Sequence, residues 1–261
     1  MTNRESFRKY EEMPKKFGWK YELFDGKTHA SPWEIVIVYE HNLKNLNELR
    51  SNFTISDLKK DDLDSFVAAW LLAYHGADEF YGYAQSEIED RAIRLFNDAI
   101  SEIDNSNTIL SGIVKNNSED ILGSIFITKT FAAGNPLVTG LFVIPEFQRK
   151  GIATSLLSYA ANRLLSMEYG RLISYCQLSN DIGNLWHKKV GFRELPDLQI
   201  ARMRRSYYSN ELDRLDSLNE LDEEEREVLS SKIAKWEKEI NRLKKIEESQ
   251  GFNAVHPLMV Y

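Results

Sequence analysis

Apolar positions along the first two thirds of the chain fall into short alternating runs separated by longer stretches of helical spacing. Phe17 to Tyr39 carries two alternating runs around Asp25-Gly26, a strong hairpin dipeptide, and a β-rich run from Trp33. Two or three N-terminal strands are therefore predicted. Asn42 to Ser51 is polar and asparagine-rich and reads as a linker. Phe53 to Leu58 reads as a strand, and Asp61 or Asp62 caps a helix carrying Leu63, Phe66, Val67, Trp70, Leu71 and Tyr74. Ser86 to Ile103 predicts a second helix. Strands are predicted at Leu110 to Lys115 and Ile121 to Thr128, with the turn-forming residues 116–120 between them.

A further strand begins at Val138 and must stop near Pro145, which has no N–H to donate. Thr154 to Leu165 returns to helical spacing, Leu172 to Leu178 to a strand, and Asn180 is an N-cap candidate for a helix that Gly191 ends. Beyond the core, Tyr207 to Leu221 and Glu224 to Glu247 predict two antiparallel helices. The second places Leu229, Ile233, Trp236, Ile240 and Leu243 at alternating spacings of four and three. So few heptads favour a helical hairpin packed on the chain itself over a partner-binding coiled coil. The apolar tail Val255 to Tyr261 must bury itself on this chain or on a neighbour, which leaves a homodimer through these helices or the tail open.

The connection from the Val138 strand to the Thr154 helix carries the clearest chemistry. A helix N-terminus presents free N–H groups and a positive dipole end, and so binds anions. Gly151 lets a ligand approach with no Cβ in the way, Ala153 keeps the first turn slim, and Arg149 and Lys150 add positive charge. A pyrophosphate suits such a turn. The spacing is neither GxxxxGK[ST] nor GxGxxG, so the usual nucleotide fingerprints do not describe it.

The pattern Gln148-x-x-Gly151-x-Ala153, after Leu141-Phe142-Val143 and Pro145, resembles the coenzyme A loop of the GNAT superfamily of acyl-CoA N-acyltransferases. A second block, NDIGNLWHKKVGF from Asn180, resembles the superfamily pattern N-x-x-A-x-x-L-Y-x-K-x-G-F. Asn180, Lys189, Gly191 and Phe192 match, Gly183 and Trp186 stand for alanine and leucine, and His187 stands where the tyrosine is usual. The resemblance covers about Phe53 to Met203. It implies an α/β (α+β) fold with a mixed central sheet, flanked by helices, whose fourth and fifth core strands splay apart. Residues 1–52 would be an N-terminal β extension and linker, 53–205 the acyltransferase domain, and 206–261 a C-terminal helical hairpin and tail.

The resemblance also implies roles. Backbone at Leu141, Phe142 and Val143 would bind the pantetheine arm and polarise the thioester carbonyl. Gln148, Arg149, Lys150, Gly151, Ile152, Ala153 and Thr154 would hold the pyrophosphate of acetyl-CoA, and Asn180 would touch the coenzyme arm. His187 is the candidate acid for the departing thiolate. An imidazole with a reference pKa of about 6.5 serves as that acid only with a raised pKa or a proton relay. Tyr175 lies where an acceptor-side base can sit, and water-relayed deprotonation is the alternative. The loop from Tyr74 to Tyr81 would select the acceptor, with Asp78 and Glu79 able to hold a cation.

Composition narrows the field. The 261 residues are 43% hydrophobic, enough for a real core, and carry a net charge of -7, which argues against nucleic acid as a partner and agrees weakly with a cationic amine. The single cysteine, Cys176, excludes an internal disulfide and fits a reducing cytoplasm. No secretory leader or membrane span is evident, so the sequons at Asn52 and Asn116 are discounted. No metal ligand set is assigned.

The activity expected is direct attack of a small-molecule or peptide amine on acetyl-CoA. A coenzyme A binding module without catalysis and an acyltransferase for longer chains are the alternatives.

Overall fold

The computed structural model describes residues 3–46, 53–101, 108–129 and 134–255. These divide into two compact units: the described residues within 1–37, 177–181 and 195–260 form one, and those within 38–176 and 182–194 the other.

The larger unit is built on a six-stranded mixed sheet. Its strands are β3 (Val36–Asn42), β4 (Thr108–Lys115), β5 (Ile121–Lys129), β6 (Pro136–Val143), β7 (Arg171–Gln177) and β8 (Arg193–Glu194). They lie in the order β4-β5-β6-β7-β3-β8, so a strand from the N-terminal region sits between β7 and β8. The sequence expectation places that strand in an extension ahead of the core. Alternating apolar spacing identifies a strand but not the edge it joins. Phe53 to Leu58, expected as a strand, keeps only the isolated bridge Ser56 to Ile113.

Helices α2 (Leu63–Tyr74) and α3 (Gln85–Ile100) cover one face, where Phe66, Trp70, Phe80, Phe96, Phe126 and Phe142 pack as an aromatic core. Phe66 alone meets Trp70, Phe96, Phe126 and Phe142 with ring centroids 5.3–5.9 Å apart. Helix α4 (Ile152–Ser166) packs on β4, β5 and β6. Its stripe of Leu156, Leu157, Ala160, Ala161 and Leu164 is fully buried. Successive strand residues point to opposite faces, so Phe126 of β5 meets α2 while a Cβ on Gly123 would meet Ile152 of α4 at 3.0 Å. Helix α5 (Asp181–Lys189) follows β7 and leads to β8.

In the smaller unit, α1 (Asn3–Glu12), not anticipated from its polar sequence, precedes the hairpin of β1 (Trp19–Phe24) and β2 (Lys27–Pro32). Asp25 and Gly26, both at positive φ, make the turn, as the dipeptide predicts. Helix α6 (Leu198–Leu218) begins nine residues before the expected start, with the Asp197 carboxylate accepting from the Ile200 N–H at 2.9 Å. Helix α7 (Glu223–Gln250) is capped the same way by Asp222. The pair buries Leu198, Ala201 and Leu243 together with Val255, the one residue of the expected apolar tail within the described range. Arg214 holds Glu211 through two nitrogens and donates to the Glu12 carbonyl, tying α6 to α1. The two flanks, separate in sequence, thus fold together.

Candidate functional site

Strand β6 carries one residue too many for its partner. Ile127 of β5 faces Val138 and Phe126 faces Gly140, so Thr139 is a β-bulge. The parallel pairing with β7 ends at the same level: Leu137 faces Ile173 and Val138 faces Ser174. Gly140, Leu141, Phe142 and Val143 run on with β5 as their ladder partner. Alternate peptide groups of that segment point to the side β7 has left, which gives β6 an open polar edge.

After Val143 the chain makes a 3-10 turn at Pro145–Phe147 and enters α4 through Arg149 at φ 60° and Gly151 at φ 89°. A non-glycine residue in that left-handed region costs about 1–3 kcal/mol and persists where the surroundings demand it. The conformation turns successive peptide N–H groups outward. Among the described residues, the amides from Arg149 to Thr154 have no protein acceptor, and the first helical bond into this turn comes from Ser155 to the Gly151 carbonyl at 2.9 Å. A Cβ on Gly151 would meet nothing within 4 Å, so the space beside that residue is open.

Side chains hold this turn from behind. Gln148 Nε2 donates to the Val143 carbonyl at 3.2 Å, so Gln148 braces the strand end and does not reach outward. Lys150 Nζ rests 4.4 Å from the centre of the Phe147 ring. Ile152 is 1% exposed and anchors the first turn of α4 against β5. Gly123 makes that possible, since a Cβ there would lie 2.8 Å from the Phe142 carbonyl oxygen and 3.0 Å from Ile152 Cγ2. Sequence reasoning missed Gly123. A glycine inside an apolar strand was the available signal.

His187 lies on the buried face of α5, 6% exposed. Its Nδ1 is 2.7 Å from the Gly183 carbonyl, which only accepts, so Nδ1 carries the proton. Nε2 therefore accepts from the Ser174 hydroxyl of β7 at 2.8 Å. The ring stacks on Tyr39 of β3 at 4.6 Å and 14°, with Trp186 and Phe192 at its edges. Burial drives its pKa down to about 4, against the smaller opposing pull of the Gly183 bond. This direction is opposite to the raised pKa that the sequence expectation offers as one route to acid catalysis, and the Ser174 contact is the partner a relay would use. The neutral ring, with both nitrogens engaged, braces α5 against β7 and β3.

Tyr175 is half-buried and points to the face of β7 opposite Ser174 and Cys176. Asn180 occupies the turn between β7 and α5, its N–H on the Gln177 carbonyl at 3.0 Å, and belongs with residues 177–181 to the smaller unit. In the acceptor loop, Asp78–Phe80 forms a 3-10 turn, with Gly76 and Gly82 at positive φ on either side. Phe80 is buried against Trp70 and Tyr74, and the Arg91 guanidinium lies 5.4 Å over its ring.

The bulged strand, the open turn and the helix behind it coincide with a family match. A model of the acetyltransferase (GNAT) family matches residues 58–192, over half of the chain. The chain belongs to the GNAT acetyltransferase family.

Solved structures with a similar backbone include a conserved protein of unknown function from Staphylococcus epidermidis, at 15% identity and a TM-score of 0.47. That match covers 61% of this chain and 57% of the other, so the chain spans little more than half of that protein's length. The PaiA N-acetyltransferase from Thermoplasma acidophilum, in complex with coenzyme A, matches at 18% identity and a TM-score of 0.45, over 54% of this chain and 90% of that one. An aminoglycoside 6'-N-acetyltransferase from Acinetobacter baumannii matches at 17% identity and a TM-score of 0.41, over 55% and 92%. No curated protein matches the chain. No helix among the described residues is long and apolar enough to cross a membrane.

Proposed function

We propose that this member of the family is an acetyl-CoA dependent N-acetyltransferase, acting on a primary amine of a small molecule or peptide in a reducing cytoplasm. The observation that carries this is the run of unengaged amides from Arg149 to Thr154 at the head of α4, opening onto empty space at Gly151. Such amides, with the helix dipole behind them and Arg149 and Lys150 beside them, bind a diphosphate. The open edge of β6 from Leu141 to Val143 would then take the pantetheine arm as a strand takes a neighbour. Acetyl-CoA supplies the thioester. A backbone N–H at the strand end stabilises the negative charge that grows on its carbonyl oxygen during attack. Tyr175 or a water relay takes the amine's proton.

Calorimetry with coenzyme A, followed by an amine panel with acetyl-CoA and free-thiol detection, tests this. Binding and amine-dependent thiol release are expected, and no heat of binding would reject it. The engaged nitrogens of His187 favour a second reading, a coenzyme A binding module without catalysis. Binding without amine-dependent thiol release would select it. Self-association through α6, α7 or the apolar tail is a further proposal, which sedimentation measures directly.

A further inference from the structure

Helix α2 carries more apolar surface than its packing on the sheet uses. Phe66, Ala69 and Trp70 are buried against the core, yet Leu63, Val67 and Leu71 recur every four residues as a second stripe that is only half-buried. That stripe lines an open groove along the seam with α3, about 280 Å³ in volume, together with Ile93 and the carboxylates of Asp64 and Glu89. A space of this size takes a small molecule. We propose that the groove binds a linear alkyl dication, a chain of methylene groups with an ammonium at each end.

The placement of the two carboxylates selects that ligand. Phe66 of α2 meets Phe96 of α3 at 5.5 Å, whereas Phe80, 6.1 Å from Trp70 and 5.0 Å from Tyr74, carries the Arg91 guanidinium over its ring. The residue numbers rise along α2 as they fall along α3, so the helices run antiparallel. Asp64 in the first turn of α2 and Glu89 in the second turn of α3 therefore stand at opposite ends of the groove. The apolar floor between them, Asp64 to Leu71, is seven residues long at a rise of about 1.5 Å, or roughly 10 Å.

The charges are also available. Neither Asp64 nor Glu89 has an ion pair or hydrogen bond among the described residues, and no residue lining the groove is basic. A fatty acid would meet two repelling carboxylates, and an alkyl monoamine would answer only one. A dication lays its methylene groups on Leu63, Val67 and Leu71 and keeps both ammonium groups in water beside a carboxylate. Each such exposed pair is weak, so the selectivity comes from having both.

The aromatic core of Phe66, Trp70, Phe96 and Phe142 lies between this groove and the sheet. The site is thus separate from the turn at the head of α4 and does not depend on the acetyltransferase reading.

The test is a titration of the methyl-labelled full chain by NMR, without coenzyme A, using diaminooctane, octylamine and diaminopropane as probes. Diaminooctane is expected to give saturable shifts at the Val67, Leu71 and Ile93 methyls. Its Kd should lie about fivefold below those of octylamine, which lacks the second charge, and diaminopropane, which is too short to reach both carboxylates. The double variant Asp64→Asn, Glu89→Gln is expected to bind diaminooctane no better than octylamine. Ala68→Lys places a resident ammonium in the groove and should weaken diaminooctane at least about fivefold. Equal Kd values for the three probes on the wild-type chain overturn the proposal whether or not a variant folds, as does a folded double variant that binds diaminooctane like wild type. Shifts confined to methyls outside the groove also overturn it, and leave the acetyltransferase reading standing.

Discussion

The turn at the head of α4 and the buried face of α5 match the family pattern about equally well, yet the structure uses them in opposite ways. The turn offers backbone: its side chains fold away, Gln148 onto the Val143 carbonyl and Lys150 over Phe147, and the amides are left open. On α5 the side chain at the diagnostic position is turned inward, and His187 spends both nitrogens on Gly183 and Ser174. A backbone site survives changes of side chain because its function follows from φ, ψ and helix polarity. A side-chain site does not survive the loss of its proton donor.

That contrast can be broken in four ways. The largest expected effect is on stability against pH. The His187 pKa is about 4 in the folded protein and near 6.5 unfolded, so between these values the unfolded chain binds a proton that the native one refuses. Stability contributed by neutral His187 is complete above pH 6.5 and is lost as pH falls toward 4, up to about 3 kcal/mol. Denaturant titrations at pH 7 and pH 4 measure it, and His187→Gln should remove that part of the slope while leaving acetyl transfer within a few-fold. A large loss of kcat in a folded His187→Gln protein would return the histidine to the mechanism.

Next in size, Gly123→Ala drives a methyl to 2.8 Å from the Phe142 carbonyl oxygen, and overpacking of that kind costs about 1–3 kcal/mol. Thermal unfolding should show it, and coenzyme A affinity should fall with it, because the strand end and Ile152 both move. Gly151→Val has a different signature. Nothing in the protein opposes the new atoms, but the φ of 89° disfavours them and they project into the open side of the turn. Coenzyme A binding should weaken at least about tenfold, or 1.4 kcal/mol, with a smaller change in Tm. Unchanged affinity by calorimetry would mean the ligand does not lie against that turn.

The smallest effect belongs to Ser174→Ala. Removing the hydroxyl leaves Nε2 of His187 unmet in a buried site, a loss of about 1 kcal/mol by denaturant titration. Turnover should hardly change. A fall in kcat larger than the loss of stability explains would argue for a relay through Ser174 and His187.

Much of this was legible in the sequence because it depends on local periodicity and on residue types with fixed backbone consequences. Pro145 ends β6, Gly151 permits the positive φ, and the stripe from Leu156 to Leu164 makes α4 amphipathic, so the strand, turn and helix of the proposed anion site could be drawn from spacing alone. The same holds for the Asp25-Gly26 hairpin and the C-terminal helices. What escaped depends on pairs far apart in the chain. Alternation found β3 but not its place between β7 and β8, because hydrogen bonding to a neighbour leaves no mark on the spacing of a strand. The bulge at Thr139, the burial that keeps His187 neutral and the approach of Tyr74 to Phe142 likewise arise only when distant segments meet. Backbone geometry is written locally. The protonation and reach of a side chain are set by whatever the fold packs around it, and at His187 that packing decided the charge state and the partners of the ring.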